Sequence, residues 1–322
     1  MIYFIYLLLA ALVVLLSIKA AVYVDLIDKK TDVSGAFIGG VLLSAVTSLP
    51  ELLTTLSSTV WLKNPSLSLG NILGSNLFNM TIVAGLIIFG IKSFGKAKIS
   101  KSHIKTTSFG LVIYLVILLN MMNIINFDIL TISITSIVIL ILYVIAVKSM
   151  AGEEESAEKD EDETAVTSNL TMKQIITRFI AVSIGLVLAS ILITYVTDII
   201  AVRLNLGAGL AGALLLGIAT SLPELTSCIS LVKIGNFNVS IGNVVGSNLF
   251  NFFILFIADI TYFRGTVYNF ADSQNKNLIF FGILSSILVL LILNIKDKVS
   301  KNYVYITLSL GIIMSYLGFM IV

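Results

Sequence analysis

Long apolar stretches dominate the sequence, and each is long enough to cross a membrane. A helix of about 20 apolar residues spans the hydrocarbon core of a bilayer. Only 12% of the residues are charged, against about 25% in a soluble domain. The sequence therefore predicts an all-α membrane protein with ten transmembrane helices. The expected spans lie near residues 2–24, 34–62, 66–90, 107–123, 127–147, 174–200, 206–232, 237–262, 277–295 and 302–322. No basic residue precedes the first apolar core, so we expect a retained span there and not a cleaved signal peptide.

A polar segment divides the expected spans into two groups of five. Residues 151–172 carry eight acidic side chains and no aromatic residue. A run of this composition cannot bury a core. We therefore expect two five-helix units, at residues 1–150 and 173–322, joined by an acidic linker at residues 151–172. A regulatory ion site in this linker is the alternative, although acidic runs are more often solvated connectors.

The basic residues predict the orientation in the membrane. If the N-terminus lies outside, the inward-facing loops hold fifteen Lys and Arg residues and the outward-facing loops hold four. Cytoplasmic loops are the ones enriched in basic residues, so both termini are expected outside and the linker in the cytoplasm. Because five spans is an odd number, the second unit enters the membrane with the opposite polarity. The two units are therefore expected to be inverted repeats.

Two short strings occur twice in the chain, once in each unit. Residues 47–52 and 220–225 both read TSLPEL, and residues 74–79 and 246–251 both read GSNLFN. The glutamates of the two copies lie 173 positions apart and their last asparagines 172 apart. Identical strings in the same order and at nearly the same spacing indicate an internal repeat.

Each TSLPEL string places a carboxylate, Glu51 or Glu224, within an apolar run, where an uncompensated charge is costly. Pro50 and Pro223 remove a backbone donor and interrupt the helix. Released carbonyls at membrane depth must be satisfied by protein, water or an ion. Inverted repeats place a shared site near the bilayer midplane. We therefore expect the two units to face each other and to share one cation between Glu51 and Glu224.

Oxygen atoms make up the ligand set around these glutamates. Helical spacing groups polar residues on four faces. They are Ser44, Thr47, Ser48, Glu51 and Thr55; Gly217, Thr220, Ser221, Glu224 and Cys228; Asn71, Ser75 and Asn79; and Asn243, Ser247 and Asn251. Hard oxygen ligands suit Ca²⁺ better than zinc or copper. Two carboxylates balance one divalent ion, or leave room for two or more Na⁺. Close helix packing is the alternative for the GSN strings, with Gly70, Gly74, Gly242 and Gly246 giving flat surfaces.

With these motifs the chain resembles the cation/Ca²⁺ exchanger superfamily, in particular prokaryotic Na⁺/Ca²⁺ exchangers, over essentially its whole length. The resemblance implies a multi-pass protein of the cell membrane with inorganic cations and lipid as its partners, no nucleic acid and no cofactor beyond the transported Ca²⁺ and Na⁺. It leaves the oligomeric state open. It implies the following metal ligands: Glu51 and Glu224 as carboxylates; Thr47, Ser48, Thr220 and Ser221 as hydroxyls and carbonyls; Ser44 and Gly217 as carbonyls; Ser75 and Ser247 as hydroxyls; and Asn79 and Asn251 as amides.

The chain departs from this resemblance at several positions. Many relatives have Gly where this chain has Val46 and Ala219, and many have Asp where it has Asn251. Without a carboxylate at position 251 the expected site has less negative charge. The resemblance therefore does not define the Na⁺:Ca²⁺ stoichiometry of this chain or any coupling to K⁺. Proton-coupled relatives typically have a different motif around their glutamates, which favours Na⁺ as the coupling ion.

The function expected from these features is secondary antiport of Na⁺ against Ca²⁺ by alternating access at one midplane site. The alternative is a cation/H⁺ exchanger in which the same glutamates are protonated. A channel is a further class, and it requires a continuous pore. No nucleotide-binding loop or soluble catalytic domain supports an enzyme.

Other polar residues are expected to have structural or solvated roles. His103 is expected to be solvated in a lysine-rich loop, and so are the polar residues of 269–277. Cys228 is expected to be a small buried filler. The aspartates near span ends, Asp25, Asp198 and Asp259, are expected at the membrane interface.

Overall fold

The computed structural model describes residues 2–31, 35–61, 63–129, 131–151, 170–203, 217–268, 270, 273–299 and 301–321. Within these ranges the chain forms helices and one two-stranded antiparallel hairpin. The helices are α1 (Ile2–Lys30), α2 (Gly35–Thr47), α3 (Leu49–Trp61), α4 (Pro65–Phe89), α5 (Ile91–Lys96), α6 (Ser102–Met121), α7 (Ile134–Ala151), α8 (Met172–Arg203), α9 (Gly217–Thr220), α10 (Leu222–Lys233), α11 (Phe237–Thr261), α12 (Ser273–Ile295) and α13 (Asn302–Ile321). The hairpin strands are β1 (Asp128–Ile129) and β2 (Ile132–Ser133).

Seven of the described helices are long and apolar enough to cross a membrane. They are α1, α4, α6, α8 over Met172–Ile193, α11, α12 and α13. Helices α2 and α3 add an eighth candidate span, bent by 42° between its two segments. The all-helical membrane fold is therefore confirmed with seven or eight candidate spans in the described ranges, where the sequence predicted ten.

When the bent pair is counted as one span, two of the ten expected spans account for the difference. The span expected at 127–147 begins with the hairpin, so its helix is shortened to an apolar segment at Ile134–Met150. The first eleven residues of the span expected at 206–232, residues 206–216, lie outside the described residues, as do residues 152–169 of the expected linker.

Asp259 anchors the β1–β2 hairpin, which the sequence did not predict. Its side chain is fully buried near the end of α11, where Oδ2 accepts from the backbone N–H of Ser133 at 2.8 Å. Its Oδ1 accepts from the N–H of Val267 at 2.9 Å and from Thr266 Oγ1 at 3.1 Å. The residue expected at the membrane interface is thus a buried anchor that joins the hairpin and the loop after α11.

Replacement of Asp259 by alanine is expected to destabilise the protein without altering the ion preferences of transport. A hydrogen bond to a charged group contributes roughly 1.5–3 kcal/mol, and the change removes three such bonds at once. Thermal unfolding of the purified protein in detergent measures the loss as a lower Tm. Asp128→Ala, on the exposed strand β1, is the control that should leave Tm unchanged. An unchanged Tm for Asp259→Ala would contradict the anchoring role.

Helices α4 and α11 form the centre of the molecule and pack against each other. In the apolar stretches of these two helices, 72% and 78% of the residues are buried, against 22% in α1 and 29% in α8. Helices α1 and α8 pack together at the periphery and leave large apolar side chains such as Phe4 and Leu188 exposed. The two central helices are the ones that carry the GSNLFN strings, so the repeated motifs lie in the most protected part of the fold.

Glycine allows a very close contact between α2 and α11. A Cβ on Gly246 would lie 2.2 Å from the carbonyl oxygen of Gly40, and one on Gly39 would lie 2.5 Å from the carbonyl oxygen of Val239. Gly39 and Gly40 belong to a π-helical turn at Ile38–Leu43. The predicted role of Gly242 and Gly246 in close helix approach is confirmed, since a Cβ on Gly242 would also lie 3.3 Å from the amide nitrogen of Gly40.

The expectation that His103 is solvated is wrong. Helix α6 starts at Ser102, five residues before the expected span, and it carries the imidazole into the protein. The side chain is 1% exposed, and Nε2 lies 2.8 Å from Oδ1 of Asn238 in the first turn of α11. This histidine is therefore a packed contact between α6 and α11.

The sequence also led to expectations for three further polar residues, of which the structure buries two and does not describe the side chain of the third. Asp25 is fully buried, accepting from Lys29 Nζ at 2.9 Å and from Asn236 Nδ2 at 3.0 Å. Asn275, expected in a solvated loop, is buried and donates to the carbonyl of Ser66. The side chain of Asp198 lies outside the described part of the structure.

Candidate cation site

The two glutamates follow matched breaks in the helices. Ser48 separates α2 from α3 with φ −91° and ψ 8°, and Ser221 separates α9 from α10 with φ −88° and ψ 7°. Pro50 and Pro223 occupy the first turn of the restarted helix, where the missing amide hydrogen is tolerated. The predicted interruption is confirmed in both halves, and it places each glutamate at the start of a new helical segment.

Each glutamate is held by a serine from the other half of the chain. Ser48 Oγ donates to Glu224 Oε1 at 3.0 Å, and Ser221 Oγ donates to Glu51 Oε1 at 3.3 Å. Both carboxylates are fully buried. The residues expected to share one site are thus brought together, although the sequence separates the glutamates by 173 positions.

The hydroxyls of the central helices complete this cluster. Ser247 Oγ of α11 donates to Glu224 Oε1 at 3.3 Å and lies 3.4 Å from Thr47 Oγ1. In the other half, Ser75 Oγ of α4 lies 3.4 Å from Thr220 Oγ1. The hydroxyl group of each GSNLFN string therefore lies beside the threonine of the opposite TSLPEL string, and that of Ser247 also contacts the glutamate of its own half.

The carbonyls of Ser44 and Gly217 lie one turn before the two breaks. The Ser44 carbonyl accepts from Ser48 N at 3.0 Å and from Thr47 Oγ1 at 3.3 Å. The Gly217 carbonyl accepts from Ser221 N at 3.1 Å and from Thr220 Oγ1 at 3.3 Å. Thus the hydroxyls of the two threonines, which flank the glutamate cluster, are held by the carbonyls that the sequence singled out.

Asn79 and Asn251 lie in a separate hydrogen-bonded group. Asn79 Nδ2 donates to Asn248 Oδ1 and Asn251 Nδ2 donates to Asn76 Oδ1, both at 2.9 Å. All four side chains are buried between α4 and α11. The two predicted amides therefore contact asparagines of the opposite half, and these contacts use their NH₂ groups.

Some of the unpaired buried oxygen atoms belong to the repeated motifs. Four oxygens of the TSLPEL and GSNLFN strings have no hydrogen-bond partner among the described residues: Glu51 Oε2, Glu224 Oε2, Asn79 Oδ1 and Asn251 Oδ1. The same is true of Oδ1 of Asn71, one turn before the first GSNLFN string. Buried polar atoms are normally paired, and each unpaired acceptor costs about 1–3 kcal/mol. A bound cation satisfies acceptors and cannot satisfy donors. This set of carboxylate and amide oxygens fits a hard cation such as Ca²⁺ or Na⁺.

The charges around the glutamates agree with this chemistry. Within the described part of the chain, neither carboxylate forms an ion pair with a basic side chain. The described residues also include no group of three or more His, Cys, Asp and Glu side chains suited to a metal. The cluster therefore offers two carboxylates and neutral oxygens, without the nitrogen and sulfur ligands that zinc prefers.

Sequence reasoning missed the roles of Asn76 and Asn248, and it left those of Asn71 and Asn243 unresolved. Asn71 Nδ2 donates to Thr55 Oγ1 at 3.2 Å, and at the equivalent position Asn243 Nδ2 donates to Ser227 Oγ at 3.0 Å. Asn76 and Asn248 are the third residues of the two GSNLFN strings. Their presence in both strings was the available signal, but it gave no information about their partners.

The fold and the facing broken helices define a multi-pass membrane protein with a buried polar centre. The family model for the sodium/calcium exchanger protein matches residues 2–149 and 174–322. The chain therefore belongs to the sodium/calcium exchanger protein family. The predicted superfamily and the multi-pass membrane location are confirmed, and the family consists of transporters and not of enzymes.

Individual proteins are also similar to this chain. An uncharacterized membrane protein of Methanocaldococcus jannaschii is 27% identical over 226 residues, which is 69% of each chain. A structure of the sodium-calcium exchanger NCX_Mj soaked with 10 mM Na⁺ and no Ca²⁺ is 21% identical, covers 98% of both chains and has a TM-score of 0.71. Another, with 100 mM Na⁺ and 10 mM Sr²⁺, is 22% identical at the same coverage and TM-score. At this identity the solved structures show a shared fold.

Proposed function

We propose that this protein is a secondary antiporter that exchanges Na⁺ for Ca²⁺ by alternating access at one site between Glu51 and Glu224. One observation carries the proposal. Each buried carboxylate accepts a hydrogen bond from a serine of the other half and keeps one oxygen unpaired. A single ion between the halves would satisfy both free oxygens. Membership of the sodium/calcium exchanger protein family indicates that the two transported ions are Na⁺ and Ca²⁺.

The proposed ligands divide by chemistry. Glu51 and Glu224 supply the charge, and neutral oxygens fill the remaining coordination positions. These neutral ligands are the hydroxyls of Thr47, Ser48, Ser75, Thr220, Ser221 and Ser247, the carbonyls of Ser44 and Gly217, and the amides of Asn79 and Asn251. Ca²⁺ takes six to eight oxygens in flexible geometry, whereas Mg²⁺ requires a tight octahedron and gives up water reluctantly. A site with this many oxygens, most of them neutral, therefore favours Ca²⁺.

The two carboxylates also explain why transport is an exchange. An empty site would carry two bare charges through an apolar barrier, which is costly. One Ca²⁺ or two or more Na⁺ remove that cost. The protein therefore changes its open side readily when it is loaded and poorly when it is empty, and this difference couples the two ion fluxes.

The proposed architecture is two inverted five-helix repeats, at residues 1–150 and 173–322, with ten spans and both termini outside. The acidic linker at residues 151–172 lies in the cytoplasm. Equivalent contacts in the two halves support a repeat: Ser68 Oγ donates to the carbonyl of Thr55, and Ser240 Oγ donates to the carbonyl of Cys228. Because one chain supplies both halves of the site, a monomer is sufficient for transport.

Transport into proteoliposomes tests the function. Ca²⁺ uptake driven by an outward Na⁺ gradient at clamped pH is the expected result. Uptake driven by a pH gradient without Na⁺ would favour the cation/H⁺ exchanger, in which the glutamates are protonated. Uptake from a Ca²⁺ gradient alone, with no exchangeable ion on the other side, would favour a channel. Either outcome would overturn the proposal.

The serines that join the halves are expected to matter for Ca²⁺ affinity. Ser48→Ala and Ser221→Ala each remove a hydrogen bond to a buried carboxylate, together with a hydroxyl ligand. A hydrogen bond to a charged group contributes about 1.5–3 kcal/mol, so each variant should raise the half-saturating Ca²⁺ concentration about tenfold or more. Initial rates of Na⁺-driven uptake over a range of Ca²⁺ concentrations measure this change. Ser183→Ala is the control, because Ser183 is buried but donates within its own helix to the carbonyl of Phe179. Equal affinities for the three variants would remove these serines from the site.

A further inference from the structure

We propose that Asn76 and Asn248 are positioning residues that fix which atom of Asn251 and Asn79 faces the transported cation. They do so across the interface between α4 and α11, so that each half orients an amide of the other. This inference rests on the proposed function and extends it to two residues that are not themselves proposed as ligands.

Two backbone carbonyls set the orientation of the first pair of side chains. Asn76 Nδ2 donates to the backbone carbonyl of Asn248 at 3.3 Å, and Asn248 Nδ2 donates to the backbone carbonyl of Asn76 at 3.0 Å. A side-chain amide has one end that donates and one that accepts, whereas a backbone carbonyl only accepts. Both side chains must therefore turn their NH₂ groups toward the facing backbone.

These contacts in turn determine the orientation of the second pair of side chains, Asn79 and Asn251. Because the NH₂ group of Asn76 donates to the backbone, its Oδ1 faces Asn251. Asn251 therefore donates through Nδ2, which lies 2.9 Å from that Oδ1. Asn248 Oδ1 likewise accepts from Asn79 Nδ2 at 2.9 Å. The oxygens of Asn79 and Asn251 are left as buried acceptors without a partner among the described residues. The backbone thus determines, through Asn76 and Asn248, that these two amides offer oxygen.

The orientation matters because an amide can be either a ligand or an obstacle. Its oxygen coordinates a cation, whereas its NH₂ group presents partial positive charge to the same ion. An aspartate offers an oxygen whichever way it turns, and therefore needs no such control. This chain has asparagine at both position 79 and position 251, so both amides must be held with their oxygens available.

Double-mutant cycles separate positioning from simple packing of α4 against α11. The variants are Asn76→Ala, Asn79→Ala and Asn251→Ala with the double variants Asn76→Ala/Asn251→Ala and Asn76→Ala/Asn79→Ala. Initial rates of Na⁺-driven Ca²⁺ uptake give the half-saturating Ca²⁺ concentration and the maximal rate for each. Contacting residues couple by about 0.5–3 kcal/mol, so Asn76→Ala alone should raise the half-saturating concentration about tenfold.

The backgrounds should differ in how they respond to the loss of Asn76. In Asn251→Ala the further change Asn76→Ala should have less than about a twofold effect, because the amide it orients is gone. Asn79 is oriented by Asn248 and not by Asn76. In the Asn79→Ala background, Asn76→Ala should therefore keep its effect of about tenfold. In Asn251→Asp, the further change Asn76→Ala should not raise the half-saturating Ca²⁺ concentration, since a carboxylate needs no orientation and cannot donate to Oδ1 of Asn76. Equal effects of Asn76→Ala in all backgrounds would overturn the proposal.

Other outcomes are also decisive. If Asn76→Ala does not give folded protein, the mirrored cycle of Asn248→Ala with Asn79→Ala applies. Failure of both single variants to fold, judged by size-exclusion chromatography in detergent, would assign Asn76 and Asn248 a structural role and overturn the inference. Absence of Na⁺-driven uptake by the unaltered protein would instead contradict the proposed function, so the two failures are distinguishable.

Discussion

Glu51→Gln and Glu224→Gln are each expected to lose Na⁺-driven Ca²⁺ uptake almost completely. Glutamine keeps the shape of the side chain but removes one of the two charges that balance the divalent ion. Removing one partner of a buried, hydrogen-bonded charge pair typically costs 2–5 kcal/mol, which corresponds to a loss of roughly 30-fold to several thousandfold. Initial rates of isotope uptake into proteoliposomes containing equal amounts of each protein measure the effect.

The matched control for these variants is Asp128→Asn, which neutralises a carboxylate on the exposed strand β1. It should transport at the rate of the unaltered protein. Both glutamate variants are expected to retain their fold, because neither carboxylate is needed to neutralise a buried basic partner among the described residues. Normal turnover by either glutamate variant would remove that glutamate from the transport site.

Gly246→Ala is expected to destabilise the protein strongly. Its Cβ would lie 2.2 Å from the carbonyl oxygen of Gly40 and 2.5 Å from the Cα of that residue. These are backbone atoms and cannot move aside as a flexible side chain can. Overpacking in a core typically costs 1–3 kcal/mol, and a clash with backbone should lie at or above the top of that range. Thermal unfolding in detergent should show a much lower Tm, or the protein should fail to accumulate.

Gly85→Ala is the control for this prediction. A Cβ at that position of α4 would meet nothing within 4 Å, and alanine is favoured over glycine in a helix by about 1 kcal/mol. We expect an unchanged or slightly raised Tm for this variant. A Gly246→Ala protein as stable as Gly85→Ala would show that α2 and α11 are not held at the close distance described above.

The sequence was most informative where a local pattern carried the whole signal. The TSLPEL strings predicted the helix breaks, because proline acts on the backbone of its own segment. Their duplication predicted that Glu51 and Glu224 face a common centre, and the serine contacts between the halves agree with that expectation. Close helix approach at Gly246 was predictable for a similar reason, since a missing side chain has the same consequence in any helix contact.

Features that depend on a distant partner could not be predicted. The burial of His103 depends on Asn238 of α11, and the hairpin before α7 depends on Asp259. Both partners are more than 100 positions away, so no local pattern reveals them. The roles of Asn76 and Asn248 were hidden for a further reason. Each bonds across the interface to the asparagines of the opposite string, and the strings alone do not show which asparagines pair.

Calcium binding to the purified protein tests whether the two halves share one ion. In an isothermal titration without Na⁺, we expect one Ca²⁺ site per chain. Glu51→Gln and Glu224→Gln should each abolish binding at this site, and added Na⁺ should displace Ca²⁺ in competition. Two independent Ca²⁺ sites, each lost only with its own glutamate, would contradict a shared site, and so would Ca²⁺ binding that Na⁺ does not weaken.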